Sequence, residues 1–484
     1  MKKFFAIIMT MCLMASVLCI NASALTTSSD DKIRVYGLKK GDTTPIDAYT
    51  DFEEGWEAAV DYAEDQDFMQ ENKYERIVVE FLADWKANDD GEFGGSWGDG
   101  FRQSTIYIPG DTKMTVNLNG HTIDRALKEW EYDGEVICID SKADVIIENG
   151  TITGGWSGNG AGGIHIYENA NVTLNNVNVE GNKTDDDNGG GIYLDSYATL
   201  TMNGGSLSKN EAHGDPSNGA GLYVDGATAT LNNVTISENK GGQGIAIYVN
   251  DGFAIAAKVT LNNCVIENNN GLPNSEYQSL IYAHSPVYIN GGEIKNNGQE
   301  RVMNSLFYFD HAALYMTGTE DDMVLVTGNN VTAIFYCYGD MPGKLTGVEG
   351  DYCEIVDNTG YIGGAERKGY SSKARYWFNN CKFNNNNTND PDGYDFYAYQ
   401  DRGYSMFEKC DLGDTTFNTK KYVNFGNGTG LAASIFSDGE SSLSMIVSIL
   451  ALMASVASIG FCITLRKKIT VPATAKNAEN EDNE

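Results

Sequence analysis

The sequence has few prolines and few basic residues for its length. It contains 8 Pro among 484 residues, against 54 Gly. Because proline cannot donate a hydrogen bond to a β-ladder, its scarcity favours stacked strands joined by many tight turns. Lys and Arg total 34 against 67 Asp and Glu, a formal net charge of −33. We expect such a surface to repel nucleic acid and anionic lipid, to tolerate neutral sugars and to attract cations such as Ca²⁺.

Several motifs of known chemistry are also missing. The sequence contains no Cys/His spacing typical of a metal site, no Ser–His–Asp signature, no phosphate-binding Gly loop and no LPxTG-type sorting signal. Nine Cys occur, but only six lie outside the two terminal apolar segments. Six cysteines are too few, over so long a domain, to indicate a disulfide scaffold.

The two ends of the chain predict export and membrane anchoring. Lys2 and Lys3 precede an apolar run that closes on small residues, which predicts a signal peptide over residues 1–24. A second apolar run, residues 443–465, is long enough as a helix of about 35 Å to cross a bilayer. Arg466 and two lysines follow, which predicts a cytoplasmic tail over 466–484 and the bulk of the chain outside the cell membrane.

A short phrase recurs along the middle of the chain. An apolar residue is followed by Asn-Asn or Asn-Gly, a small residue, one further residue and a second apolar residue. The full phrase begins at Leu174, Met202, Leu231, Leu261, Ile289 and Phe378. Weaker copies begin at Leu118, Ile147, Met316, Gly350 and Phe407. The series predicts eleven rungs of nearly constant length, with an inserted loop before Gly350.

An asparagine column accompanies the phrase and indicates the fold. It comprises Asn182, Asn210, Asn239, Asn269, Asn297, Asn358 and Asn386. Asn and Gly tolerate the left-handed conformation of a sharp bend, and stacked Asn side chains can bond to the copies above and below. Each rung fits three short strands and three turns. The predicted fold is therefore an all-β parallel β-helix of about eleven rungs over residues 105–417.

The first rung carries a resemblance to a known family. The segment Val116-Asn117-Leu118-Asn119-Gly120-His121-Thr122-Ile123 resembles the entry rung of the right-handed β-helix, pectin-lyase-like superfamily. The resemblance covers about residues 105–417. It implies a right-handed coil with a ligand groove beside one sheet. It implies no single function, because the superfamily includes pectate lyases, polygalacturonases, phage tailspikes and adhesins.

The flanks of the repeat region complete the predicted organisation. Residues 25–104 are predicted to form an N-terminal cap region. Thr50 and Glu53 match a capping box, which predicts a short helix that covers the open end of the coil. Residues 76–85 are predicted to form a strand that joins the first turns. Residues 418–442 are predicted to be a linker to the membrane helix.

One outward strand position is aromatic in most rungs. It comprises Cys138, His165, Tyr193, Tyr223, Tyr248, Tyr282, Tyr308 and Tyr336. The six from His165 to Tyr308 are the candidate ligand-binding residues. Tyr rings at rung spacing could stack on sugar rings of a polysaccharide. The alternative is that stacked Tyr side chains only stabilise an exposed sheet face.

A second outward column, two residues further along, contains the carboxylates. Asp195 and Asp225 fall in adjacent rungs, with backbones about 5 Å apart. Ca²⁺ could bridge them. They could instead act as acid and nucleophile of a retaining glycosidase, or both could simply be solvated. His213, in a loop beside this face, is a candidate base, although a lone loop histidine is usually solvated.

Family catalytic signatures do not carry over to this sequence. The resemblance to pectate lyases would require an Arg or Lys in the outward columns, but neither occurs there. The ordered polygalacturonase signatures are absent as well.

Cys353, Cys381 and Cys410 share one inward position of consecutive rungs. They fit either a disulfide between neighbours or a stack of small apolar side chains.

These observations predict a cell-surface, membrane-anchored β-helix that binds a polysaccharide, a host or cell-surface glycan or a partner surface, in the manner of an adhesin. The main alternative is a surface polysaccharide lyase or glycoside hydrolase that uses Asp195 and Asp225. A third interpretation is a passive structural rod.

Overall fold

A computed structural model describes most of the repeat region and its N-terminal cap. The described residues are 28–87, 105–185, 187–214, 218–252, 256–273, 275, 277–338, 346–364, 374–387, 394–397, 404–417 and 423–426. The predicted signal peptide, transmembrane helix and cytoplasmic tail lie outside them. Within this described part, no helix has the length and apolarity needed to span a bilayer. The chain divides into two compact units, Met1–Val423 and Asn424–Glu484.

The described part is built almost wholly of strands, and most of them belong to one bent sheet, sheet A. Its strands are Ile33–Lys39, Asp42–Tyr49, Arg76–Phe81, Trp85–Lys86, Lys113–Asn117, Thr122–Asp124, Asp144–Thr153, Asn171–Glu180, Thr199–Asn203, Ser206–Ser208, Thr228–Asn232, Thr235–Ser237, Lys258–Asn262, Val265–Glu267, Val287–Asn290, Glu293–Lys295, Ala313–Thr317, Val324–Thr327, Gly347–Asp351, Cys353–Val356, Arg375–Asn379, Lys382–Asn384, Tyr404–Glu408 and Val423–Asn424.

Two further sheets complete the coil. Sheet B consists of Ile106–Ile108, Ile137–Ile139, Ile164–Ile166, Ile192–Leu194, Leu222–Asp225, Ile247–Asn250, Ser279–Ala283, Met303–Asp310, Asn330–Tyr338 and Thr359–Tyr361. Sheet C consists of Trp156–Ser157, Lys183–Asp185, Glu211–His213, Lys240–Gly241 and Asn270–Gly271. A small pair, Gly363–Gly364 with Phe396–Tyr397, follows near the C-terminal end.

Strands of successive rungs pair in parallel and in register, as a parallel β-helix requires. Leu174, for example, pairs with Ile147 on one side and with Met202 on the other. The ten described strands of sheet B delimit about nine complete turns, so the eleven predicted rungs overstate the count. The difference arises at the C-terminal end, where Phe407 belongs to a sheet A strand with no described sheet B strand in its rung.

The core lies inside the coil, on the alternate residues of each strand. Ile192 and Leu194 are fully buried, while Tyr193 between them faces outward. Alternation with period two places every second side chain inside, and the parallel register stacks like residues over like. Burial of these aliphatic columns is the main source of stability, at about 25 cal/mol per Å² of apolar surface removed from water.

Each rung has two sharp bends with left-handed residues, of which the Asn/Gly phrase predicts the first. The second bend has positive φ at Gly181, Lys209 and Glu238 in successive rungs. The first bend has positive φ angles of 53° at Asn176, 68° at Gly204 and 55° at Asn233. Tyr352 and Lys409 take the same conformation, with φ of 52° each, in the last rungs. A residue with a bulky side chain is strained in this conformation, whereas Gly and Asn adopt it readily.

The predicted asparagine column forms an uninterrupted ladder inside the second bend. Each Nδ2 donates to the Oδ1 of the next rung, at 3.2 Å from Asn182 to Asn210 and 2.9 Å from Asn239 to Asn269. The ladder also contains Asn329, which accepts from Asn297 at 2.9 Å and donates to Asn358 at 2.8 Å. Eight asparagines therefore bond in series from Asn182 to Asn386.

The inserted loop predicted before Gly350 explains why Asn329 was missed. Met316 pairs with Ile289, and Val326 pairs with Ile294. The two partners in the earlier rung are five residues apart, but Met316 and Val326 are ten apart. The insertion therefore lies in the first bend of that rung. It shifts Asn329 out of the spacing that the sequence repeat follows.

The predicted opening of the first rung at Leu118 was wrong by two residues. Val116, not Leu118, pairs with Ile147, and Ile123 pairs with Ile152. The bend of this rung is therefore two residues longer than in the next one. Leu118, the apolar residue before Asn-Gly, lies in this longer bend and is fully buried.

The N-terminal cap contains more structure than the one predicted helix. Helix α1, Phe52–Glu64, has Asp51 rather than Thr50 as its N-cap, and the Asp51 carboxylate accepts from the Glu54 N–H at 3.1 Å. Helix α2, Gln66–Asn72, follows directly. The antiparallel pair Ile33–Lys39 and Asp42–Tyr49 was not predicted and covers the edge of Arg76–Phe81. The predicted strand 76–85 is interrupted after Phe81.

Candidate functional site

The predicted aromatic column lies on the outer side of sheet B and is in register throughout. His165 pairs with Tyr193, and the series continues rung by rung to Tyr336. The tyrosine rings stack on one another with centroids 4.6–5.1 Å apart from Tyr193 to Tyr336. The rings of Tyr248 and Tyr282 are nearly parallel, with 1° between their planes.

This stacking limits how a ligand can meet the tyrosines. Each inner ring has a neighbouring ring on both of its faces, so ligand contact is restricted to ring edges and hydroxyl groups. Tyr223 and Tyr248 are only 7% and 8% exposed. Burial raises the pKa of Tyr248 to about 12 and raises the pKa of Tyr193, Tyr223 and Tyr282 as well. The hydroxyl groups are therefore neutral donors at physiological pH.

A polar row runs beside the tyrosines, two residues further along each strand. Its members are Asp140, Tyr167, Asp195, Asp225, Asn250, His284 and Asp310. Asp225 pairs directly with Asn250, whose side-chain amide donates to the Asp225 carboxylate at 2.8 Å. We call the aromatic column from His165 to Tyr308, together with the row from Asp195 to Asp310, the Tyr/Asp face.

The N-terminal end of the Tyr/Asp face contains a histidine–aspartate pair. The Nε2 atom of His165 lies 3.2 Å from Oδ2 of Asp195. The His165 ring stacks on Tyr167 with centroids 4.1 Å apart. Glu135, 1% exposed, interacts electrostatically with His165, and burial raises the pKa of the Glu135 carboxyl group.

The opposite end contains a second such pair. The Tyr248 hydroxyl lies 3.3 Å from Nε2 of His284, and Nδ1 of His284 lies 3.6 Å from Oδ2 of Asp310. His311 also contacts the Asp310 carboxylate. The structure thus brings a hydroxyl, an imidazole and a carboxylate into one series at this end.

The predicted carboxylate pair occupies neighbouring positions in the middle of the polar row. Asp195 and Asp225 follow the paired residues Leu194 and Val224, so they lie one rung apart. Burial raises the pKa of Asp225, the amide of Asn250 lowers it, and repulsion from Asp195 raises it further. The two carboxyl groups therefore have different partners, Asn250 for one and His165 for the other.

His213, the candidate base, was predicted in a loop but lies in the sheet C strand Glu211–His213. Its Nε2 contacts the Glu211 carboxylate at 2.8 Å, and the same carboxylate accepts from Lys183 at 3.2 Å. These partners hold the pKa of Glu211 at about 2, and Glu211 raises the pKa of His213. His213 is therefore part of an ion-pair cluster.

The predicted calcium site has few ligands. Ca²⁺ takes six to eight oxygen atoms, whereas Asp195 and Asp225 supply two carboxylates. Among the described residues, no group of three or more His, Cys, Asp or Glu side chains could hold a metal ion.

The cysteine column is in register, and Cys353, Cys381 and Cys410 all have free thiols. The thiol of Cys381 lies near the carbonyl oxygen of Gly350 at 3.5 Å.

Sequence reasoning aligned the side chains of the face but missed their contacts. The pairs His165–Asp195 and His284–Asp310 join residues of adjacent rungs, offset by two positions in the first case and by none in the second. The aligned columns placed these residues in adjacent rungs but did not specify which side chains would bond. Asp187, in the loop predicted to return to this face, acts electrostatically on Tyr193 and Tyr223.

Comparison with protein families agrees with this geometry. Residues 104–294 match the family model of the right-handed β-helix region. The domain is a right-handed parallel β-helix. Both the match and the coil are consistent with the pectin-lyase-like superfamily. Neither curated proteins nor solved structures gave a match to the chain, so no relative supplies the β-helix domain with a ligand or an activity.

Proposed function

We propose that the β-helix domain binds a glycan along its Tyr/Asp face and that the chain is displayed at the cell surface. The observation that supports binding is the continuous polar row beside the stacked tyrosines. Donors and acceptors recur there once per rung, at intervals of about 4.8 Å. An extended polysaccharide presents hydroxyl groups at regular intervals, so a row of this kind can bond to several sugars at once.

The proposed binding mode differs from the platform that the sequence suggested. Because the tyrosine rings cover one another, sugar rings cannot stack on them one by one. The tyrosine edges instead form an apolar strip, and Asp225, Asn250 and His284 bond to sugar hydroxyl groups. No Lys or Arg occupies either column, so the face favours neutral or cationic glycans over acidic ones.

A glycan array probed with the full chain tests this proposal. We expect binding to one or more neutral or cationic polysaccharides, and about tenfold weaker binding after Asn250→Ala, since a buried polar contact is worth about 1–2 kcal/mol. Thr201→Ala, on the outer side of sheet A, is the control and should bind like the parent chain. Binding confined to acidic glycans, or no glycan binding, would contradict the proposal.

A glycosidase is the second candidate. The observation in its favour is the unequal environment of the two adjacent carboxyl groups. Asp225 has a raised pKa, as a general acid requires, while Asp195 contacts His165. Retaining glycosidases hold their two carboxyl groups about 5–5.5 Å apart, which agrees with neighbouring rungs.

Product analysis separates the two candidates. Any glycan bound on the array is incubated with the full chain and assayed for new reducing ends. An enzyme predicts product that Asp195→Asn reduces at least about a thousandfold, with the overall fold retained. A binding protein predicts retained glycan and no product.

Surface display is tested on intact cells. The proposal rests on the predicted signal peptide and on the apolar run 443–465 with its basic flank. Protease added outside the cell should remove the β-helix domain and leave an epitope tag placed after residue 484 intact. Protection of the β-helix domain in intact cells would contradict this proposal.

A further inference from the structure

The connection between the strands Thr122–Asp124 and Ile137–Ile139 exposes two aromatic side chains. Trp130 and Tyr132 are 56% and 61% exposed, far more than Tyr223 and Tyr248 on the Tyr/Asp face. Of the large apolar side chains exposed in the described part of the chain, only these two are close together in the sequence. Single exposed apolar residues are ordinary on a protein surface, whereas neighbouring ones form a patch of the kind that marks binding sites.

The backbone that carries the two rings is fixed by a buried arginine. The guanidinium group of Arg125, 1% exposed, donates to the Glu131 carboxylate at 3.1 Å and to two backbone carbonyl oxygens of the same connection. Glu131 also pairs with Ser157 of sheet C. Because side chains alternate along a strand, Trp130 and Tyr132 lie on the side opposite the Glu131 carboxylate. Their positions are therefore set before a ligand binds, which lowers the entropy cost of binding.

This aromatic patch adjoins the N-terminal end of the Tyr/Asp face. A Cβ atom on Gly158 would lie 2.7 Å from the Trp130 ring, and one on Gly160 would lie 2.6 Å from Nδ1 of His165. The Cα atoms of the two glycines are at most about 7 Å apart. The Gly160 N–H donates to the Asp187 carboxylate at 2.7 Å, which ties this segment to the loop beside the face. A glycan bound along the face can therefore continue onto Trp130.

The exposed rings supply a surface that the stacked tyrosines lack. Each inner tyrosine ring is covered on both faces, so no sugar can lie flat on it. A pyranose with only equatorial hydroxyl groups has two faces made of C–H groups, which pack on an aromatic ring as an apolar surface. An axial hydroxyl group puts a polar group on one of these faces, and its burial against a ring costs free energy.

We propose that Trp130 and Tyr132 form an aromatic subsite of the glycan-binding face, on which a pyranose with equatorial hydroxyl groups stacks. This inference rests on the proposed glycan binding and adds its ligand class, a neutral β-1,4-linked glucan in preference to a mannan. The polar row bonds to hydroxyl groups of sugars further along the same glycan. The stacked sugar supplies the selectivity, since an axial hydroxyl group disturbs stacking more than it disturbs a single hydrogen bond.

Two β-1,4-linked hexasaccharides test the proposal. The hydroxyl groups of cellohexaose are all equatorial, whereas mannohexaose has an axial hydroxyl group at carbon 2. Calorimetric titration of the full chain should show cellohexaose binding at least about fivefold tighter than mannohexaose. Tryptophan fluorescence should shift to shorter wavelength as cellohexaose covers the exposed indole, and this shift should be absent from Trp130→Phe.

Variants separate stacking on Trp130 from other contributions. Trp130→Ala should weaken cellohexaose binding at least about tenfold and mannohexaose binding less than about threefold, so that the preference is lost. Trp130→Phe keeps an aromatic ring and should bind cellohexaose within about threefold of the parent chain. Trp377→Ala removes an indole that is 42% exposed on the outer side of sheet A. It is the matched control and should bind both sugars like the parent chain.

The outcomes distinguish this inference from the proposed function. Equal affinity for the two hexasaccharides, or undiminished cellohexaose binding by Trp130→Ala, would overturn the subsite and leave glycan binding in place, which Asn250→Ala tests separately. If Trp130→Ala keeps its sugar affinity but loses a self-association measured by light scattering, the patch is a contact between copies of the chain and the inference is wrong. Binding of neither sugar also overturns it, and glycan binding itself fails if the array is negative as well.

Discussion

Asparagine is the residue on which the regularity of this coil depends most. Asn239 accepts from the N–H and side-chain amide of Asn210 at 2.9 and 3.2 Å, and donates to the Leu207 carbonyl oxygen and to Asn269 at 2.9 Å each. All of these groups are buried. The side chain therefore satisfies backbone groups that a bend inside a closed coil would otherwise leave without partners.

Replacement of Asn239 tests this role. Asn239→Ala leaves buried donors and acceptors unpaired, so we expect a loss of about 3 kcal/mol in the free energy of unfolding. Chemical denaturation of the full chain measures it. Asn232→Ala removes an outer asparagine that bonds to Asn203 and Asn262 near solvent, and should cost about 1 kcal/mol or less. Equal losses would contradict the distinction between inner and outer ladders.

Tyr352 offers a test of the bend conformation. It occupies the left-handed position that Asn176 and Asn380 occupy in other rungs, with φ of 52°. Because non-glycine residues with bulky side chains are strained there, Tyr352→Asn should raise the free energy of unfolding by about 0.5–1 kcal/mol. Thermal unfolding measures the change. A destabilised variant would show that the ring of Tyr352 contributes more than the strain costs.

The His213–Glu211 pair predicts a pH dependence. The raised pKa of His213 stabilises the fold below the unfolded value of 6.5, and this contribution is lost as pH rises through the folded value. The lowered pKa of Glu211 stabilises the fold above 4.5, and this is lost as pH falls towards 2. The pair should therefore contribute most between pH 4.5 and 6.5.

Urea unfolding of the parent chain and His213→Gln across pH measures this contribution. Both side chains are partly exposed, so the difference should be small, about 0.5 kcal/mol in that window, and should shrink above it. A difference that grows as pH rises above 7 would contradict the assignment.

At the scale of elements, the stacked tyrosines act as one unit of sheet B. Each inner ring contacts two others, and such aromatic pairs add about 0.5–1.5 kcal/mol beyond the area they bury. The stack therefore stabilises the face whether or not a ligand binds. The interpretation of the column as a stabilising sheet face and its proposed role in ligand binding are compatible.

Substitution of Tyr248 separates ring stacking from the hydroxyl contact. Tyr248→Ala removes a nearly buried ring between Tyr223 and Tyr282, and we expect it to lower the free energy of unfolding by about 3 kcal/mol. Tyr248→Phe keeps the ring and loses only the contact to His284, so it should cost less than about 1 kcal/mol. Denaturation with urea compares them, and similar losses would contradict the importance of stacking.

Elements with a repeated pattern could be predicted from the sequence, and elements without one could not. The Asn-Asn and Asn-Gly bends gave the strand register, because a one-residue slip would turn every apolar side chain outward. The hairpin Ile33–Lys39 and Asp42–Tyr49 occurs once and pairs with Arg76–Phe81 far along the chain. No local periodicity signals such a pairing.

The candidate site was predictable to the same extent. The columns placed Tyr193 beside Tyr223 and Asp195 beside Asp225. They could not show that the rings stack face to face, since ring orientation depends on side-chain torsions and packing rather than on position. The contact between His165 and Asp195 also depends on torsions. The sequence repeat predicts the position of a residue along its rung. It does not predict which other side chain that residue contacts.

At the scale of the whole molecule, the β-helix domain is a one-dimensional stack in which each rung contacts mainly its neighbours. Stability is then approximately a sum over rungs and the interfaces between them. The inserted residues after Met316 lengthen a bend without adding a turn, because Gly350 still pairs with Met316. Distance along the axis should therefore depend on the number of rungs and not on the number of residues.

Spin-label distances test this stacking most directly. Nitroxide labels on a ketone-bearing amino acid at Thr173 and Tyr288, four rungs apart on the outer side of sheet A, should be about 19 Å apart before allowance for the label linkers. Labels at Thr173 and Glu349 span two further rungs and the insertion, and should be about 10 Å farther apart. Equal distances for the two pairs, or an increase well beyond two rungs, would contradict the parallel β-helix.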